Sequence, residues 1–135
     1  MKSTNAAYWA TTSIVAFVLL SGGIASLAHR PENVEGMARL GYPAYLLTIL
    51  GFWKVLGGMA LLAPRFPRLK EWAYAGAFFD LTGAAWSHAA SGAGPAHIFW
   101  PLFFAFAALA SWALRPQGRI IGALLPEPGR TRISA

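Results

Sequence analysis

Lys54 and Asp80 each sit in the middle of an otherwise apolar stretch, and the two stretches are neighbours joined by a short basic loop. A charge at the centre of a membrane helix costs about 2.5–3.5 kcal/mol on insertion scales, so opposite signs in adjacent stretches point to a pair. Each residue lies 13 positions from Pro67 in the connecting loop. In an antiparallel hairpin, equal distance from the turn means equal depth. An ammonium and a carboxylate are therefore expected side by side at mid-membrane. Two kinds of chemistry suit them: Asp80 holding or moving a proton, and Lys54 gripping an anionic or carbonyl-bearing amphiphile. The alternative is an ion pair that fixes helix register and does no chemistry, since buried opposite charges also serve as structural locks.

The residues around the pair extend the same expectation. Gly76, Asp80, Gly83 and Ser87 recur at spacings of four, three and four, which is one helical face, and Gly51, Lys54 and Gly58 do likewise on the preceding stretch. Small residues beside each charge are expected to let the two backbones approach. Trp53, Phe79 and Ser87 are the expected ligand contacts beside Lys54, with His88 joining Asp80 in proton transfer. His29, His88 and His97 fall near the ends of stretches on one side of the membrane, close to Glu32 and Glu35. Imidazoles there suit proton exchange with a quinone head group, or zinc or copper. No His-Glu-x-x-His spacing accompanies them, so no metal site is expected. Glu71 opens the third stretch, where a carboxylate favours the helix dipole.

The elements that must position these residues are four apolar runs, at about 7–28, 43–63, 72–90 and 97–114. Each is close to the roughly 20 residues that cross a bilayer as a helix. With 56% hydrophobic and 12% charged residues in 135, little remains for a soluble domain. The expectation is an all-α integral membrane four-helix bundle over 1–115, with a cytoplasmic tail at 116–135. In that tail Ile120–Leu125 suits a short interfacial segment, and the last seven or so residues are expected to be disordered. The first run resembles a signal peptide at a glance. Its apolar region exceeds the usual 7–15 residues, so a retained helix is expected, with Ser3, Thr4 and Asn5 as its cap. Pro31 suits the start of a short helix in the first loop.

Orientation follows from the basic residues. Lys2, Arg65, Arg68, Lys70, Arg115, Arg119, Arg130 and Arg132 share one side if four helices alternate, whereas Arg30 and Arg39 flank the other. The positive-inside bias predicts both termini in the cytoplasm, N-in and C-in, for a multi-pass protein. The net charge of +6 then reflects topology and anionic lipid rather than nucleic acid. Trp9, Trp72 and Trp112 near one set of ends, with Tyr42, Tyr45, Trp86 and Trp100 near the other, form an aromatic belt. With no cysteine in the chain, disulfides and iron–sulfur ligation by its own residues are excluded. Flavin-type dinucleotide folds, phosphate loops and covalent haem motifs are absent as well.

Leu40-Gly41-Tyr42-Pro43-Ala44-Tyr45, Gly51-Phe52-Trp53-Lys54-Val55-Leu56-Gly57, the run from Pro64 to Gly76, and Phe79-Asp80-Leu81-Thr82-Gly83-Ala84 resemble the DoxX-like family of small bacterial membrane proteins. The resemblance implies a four-helix bundle in the cytoplasmic membrane, with recurrent polar positions at Lys54, Glu71, Asp80 and His88. Some relatives in the wider superfamily are subunits of a thiosulfate–quinone oxidoreductase or of other membrane redox complexes, and others resemble assembly or transport-accessory proteins. The leading expectation is an accessory or quinone-interacting component of a membrane redox process, acting with a membrane redox partner. The alternatives are a non-enzymatic scaffold or assembly factor, and a small-molecule transporter that would need a homo-oligomer.

Overall fold

A computed structural model describes residues 2–63 and 66–116, and the expectations for the tail beyond 116 lie outside the described residues. Within them the chain is all-α, with five helices: α1 (Lys2–Leu27), α2 (Pro31–Arg39), α3 (Tyr45–Leu62), α4 (Pro67–Ala90) and α5 (Pro95–Ala113). Apolar sequence favours helix wherever backbone groups must satisfy one another, and local residues set the ends. Pro31, Pro67 and Pro95 open α2, α4 and α5 at positions where no helical N–H is lost. Gly41 and Gly92, both left-handed, close α2 and α4. At each end the glycine N–H and the next N–H reach back to the last-turn carbonyls. His29 does the same for α1 at φ 49°, an uncommon conformation for a residue with a side chain. Ser3, Thr4 and Asn5 lie inside α1 rather than capping it, because the helix already begins at Lys2.

The four long helices form a ring in the order α1, α3, α4, α5, with α5 returning to α1. By length and composition, α1, α3 and α5 suffice to cross a membrane. The third expected run is α4, long enough at 24 residues but outside that group, with Asp80, His88 and small or polar residues spread along its apolar stretch.

The closest approach is not the expected one. Gly51 and Gly58 of α3 face α1, not α4. A Cβ on Gly51 would lie 2.8 Å from the Gly23 carbonyl oxygen, and one on Gly58 would lie 2.7 Å from Leu20 Cγ. Gly76 and Gly83 of α4 meet nothing within 4 Å. Small-residue packing therefore joins α1 to α3, while α3 and α4 touch more sparsely than any other neighbours in the ring. Gly51→Leu is expected to destabilise the bundle by about 1–3 kcal/mol through overpacking, and Gly83→Leu to leave it essentially unchanged. Thermal unfolding in detergent or nanodiscs reads the difference.

Packing is also uneven along the bundle axis. Val15, Leu19, Leu61, Tyr74, Ala77, Ala107 and Ala108 make a buried cluster in the half nearer the α3–α4 connection. Thr12, Tyr74 and Ser111 tie α1, α4 and α5 together there, through hydroxyl contacts of 2.6 Å (Thr12–Ser111) and 2.7 Å (Tyr74–Ser111). The other half, beneath α2, is hollow.

Candidate functional site

The hollow is a cavity of about 610 Å³ between α3 and α4, roofed by α2. Its size falls within the roughly 300–1,000 Å³ of small-molecule sites. Gly22, Ala25, Gly83 and Ala84 line it, and these small side chains are why the space stays open. Leu46, Leu47 and Leu50 of α3 supply an apolar wall, and Glu32 and Asn33 of α2 lie at the mouth.

Lys54 and Asp80 line the deep end, with Lys54 Nζ 3.5 Å from an Asp80 carboxylate oxygen. The side chains remain 26% and 18% accessible, so the pair is desolvated only in part and both groups retain capacity for a ligand. Ser87 and His88 line the cavity about two turns nearer the mouth. Asp80 and His88 are eight residues apart on one helix, about 12 Å along its axis. They share the cavity as separate polar stations.

Tyr42 was legible only as an interfacial aromatic. Its hydroxyl hydrogen-bonds the Ser87 hydroxyl at 2.8 Å, binding the α2–α3 connection to α4 across the mouth. The His88 ring lies 5.4 Å from that of His97, whereas His29 Nε2 meets the Thr48 hydroxyl at 2.8 Å. The three imidazoles therefore do not converge.

Trp53 does not line the cavity. It is 63% exposed, with its ring edge-on to Phe52 at 5.5 Å. Phe79 lines the cavity and also a smaller recess of about 250 Å³ between α4 and α5. Gly51 is buried against α1, and Gly76 lies outside the cavity lining.

Glu71 belongs to a different cluster from Asp80. It lines the smaller recess, accepts a hydrogen bond from Trp112 Nε1 at 2.9 Å and ion-pairs with Arg115. Arg115 lies over the rings of Tyr74 and Trp112, at 5.4 and 5.5 Å, and its Nε donates to the Trp112 carbonyl. The carboxylate locks α4 to the end of α5, a stronger tie than the dipole contact expected for a first-turn acid. Lys70, read from sequence as a loop cation, is fully buried, and its ammonium donates to the Ala60 and Ala63 carbonyls at the end of α3. A cation is favoured at that negative helix terminus.

Long apolar helices and a cavity among them with a charged pair at its deep end define a small all-α membrane protein in contact with the lipid bilayer. The chain belongs to the DoxX-like family, whose sequence profile matches residues 10–111. Comparison with curated proteins and with solved structures gave no match.

Proposed function

We propose that the protein binds a quinone-type amphiphile in the cavity between α3 and α4 and serves as an accessory component of a membrane redox process. In this reading α4 is the fourth span, and residues 1–115 form one transmembrane domain of the inner membrane. Both termini and the tail at 116–135 are cytoplasmic, and a membrane redox protein is the partner. The observation that carries the reading is the Lys54–Asp80 pair at the deep end of a cavity large enough for a ring-sized head group.

The residues fit such a group chemically. A bound quinone supplies a two-electron, two-proton couple with carbonyl oxygens as its polar handles. Lys54 would hold such a group by donating a hydrogen bond to a carbonyl oxygen. Asp80, held beside that ammonium, takes up or gives a proton at its carboxylate. Ser87 and Tyr42 offer hydroxyls between Asp80 and the mouth, and His88 offers an imidazole on the same lining. Phe79 and the leucines of α3 exclude water from the apolar part of the ligand. The sparse α3–α4 contact leaves a lateral route for a lipid-soluble tail.

Protein purified in native lipid is expected to yield a near-stoichiometric quinone in its organic extract, detected by mass spectrometry and by ultraviolet absorption. The Gly83→Leu variant, whose side chain would occupy the cavity, is expected to lose that quinone while retaining its unfolding temperature. An extract without quinone from the unmodified protein would replace this reading with a scaffold in which Lys54–Asp80 only fixes register.

A further inference from the structure

We infer that the cavity is hydrated from the α2 face of the membrane only, any lipid-soluble tail leaving sideways between α3 and α4, so that protons and small polar solutes reach Lys54 and Asp80 from that face and not from the other. The inference rests on α4 spanning the membrane and on the cavity geometry, and not on the identity of the ligand.

The bundle is built asymmetrically along its axis. From Asp80 toward α2, the polar lining continues through Ser87 and His88 of α4 to Glu32 and Asn33 of α2. Water entering there finds hydrogen-bond partners at successive depths, as a hydrated cavity requires. From Asp80 toward the α3–α4 connection, the opposite holds. Ala77 and Tyr74 are 4% exposed, and Leu61 and Lys70 are fully buried. The hydroxyls of Thr12, Tyr74 and Ser111 bind to one another across three helices. These hydroxyls are satisfied by one another, and the buried cluster around Leu61, Tyr74 and Ala77 packs the bundle axis there, leaving the recess between α4 and α5 to one side.

The cover on the open side is light. No residue of α2 is buried, and its ends are the left-handed His29 and Gly41. The Tyr42–Ser87 hydrogen bond ties the connection that follows this cover to α4. A cover so held admits water and small solutes, while the packed half makes the site a dead end for them. Redox or binding chemistry at Asp80 is thereby coupled to the protons of one compartment.

Because the chain has no cysteine, single cysteines report access directly. Ala84→Cys and Ser87→Cys place a thiol in the vestibule, Ala77→Cys places one in the packed half, and Glu35→Cys marks the α2 face. Each is exposed to a charged, membrane-impermeant methanethiosulfonate reagent in right-side-out and inside-out vesicles.

Ala84→Cys is expected to react only from the face that labels Glu35→Cys, roughly tenfold or more faster than Ala77→Cys, because thiol reactivity follows access and thiolate formation in water. Adding Gly83→Leu to Ala84→Cys is expected to suppress the reaction. Equal labelling from both faces, no labelling of Ala84→Cys, or labelling undiminished by Gly83→Leu would overturn the inference. The readout needs no bound ligand, so it stands or falls separately from the quinone extraction.

Discussion

Replacing Glu71 with glutamine is expected to destabilise the bundle by an amount approaching the about 3–5 kcal/mol that accompanies loss of one member of a buried ion pair. The Arg115 side chain is 4% accessible, and Glu71 is its partner across the α4–α5 interface. Glutamine keeps the volume and an acceptor for Trp112 Nε1, but it leaves the guanidinium without a countercharge. Glu71 itself is 30% accessible, so water replaces part of the lost interaction and the effect falls toward the lower end of that range. The rings of Tyr74 and Trp112 beneath Arg115 retain a smaller electrostatic attraction. Glu71→Gln/Arg115→Met is expected to recover most of the stability, since a hydrophobic side chain of similar length suits the buried position. Unfolding temperatures of the two variants in the same nanodiscs decide between a lock and an incidental contact. If Glu71→Gln unfolds like the unmodified protein, the cluster does not hold α5 in place.

The same reasoning that finds one pair in the sequence finds this one as well. Lys54 and Asp80 are equidistant from Pro67. Glu71 lies 20 residues before Ser91, and Arg115 lies 21 after Gly94, on either side of the next turn. Depth along a hairpin is a one-dimensional quantity, and counting residues from a turn recovers it. A charge at mid-span draws attention because it is costly there. A charge at a span's end passes for a terminal feature: Glu71 reads as a first-turn acid favouring the helix dipole and Arg115 as part of the positive-inside bias.

Rotation about the helix axis is a different matter. The spacing of Gly51, Lys54 and Gly58 places them on one broad face, but no spacing within a helix names the neighbour that this face meets. The glycines turn to α1, where Gly23 offers a matching gap, while Lys54 at the edge of that face turns to Asp80. Glycines and charge therefore serve two different interfaces, and the cavity exists because the tight one is α1–α3 rather than α3–α4. Trp53 stands outside the cavity lining for a related reason, since adjacency to Lys54 in sequence is about 100° of rotation on a helix. Tyr42 carried no signal beyond its type. Its contact with Ser87 spans 45 residues and depends on the path of the loop after α2.

The largest functional effect is expected at Lys54 and Asp80, and the two single variants and their combination separate its causes. Lys54→Met leaves a carboxylate in an apolar bundle, and Asp80→Leu leaves an ammonium. Each is expected to destabilise by an amount between the about 0–1 kcal/mol typical of an exposed pair and the about 3–5 kcal/mol of a buried one, because both groups keep partial access to the cavity. The double variant is expected to regain stability, since neither charge is then left alone and apolar side chains suit the surrounding helices. Its ligand occupancy should not return. The cavity persists, but its deep end no longer offers a donor or a protonatable group, and extracted quinone is expected to stay at background. Stability and occupancy thus part company in the double variant if the pair is a working site, and move together if it is a lock. A double variant that folds, carries quinone and supports the partner process as the unmodified protein does would remove Lys54 and Asp80 from the chemistry and leave them as register-setting residues.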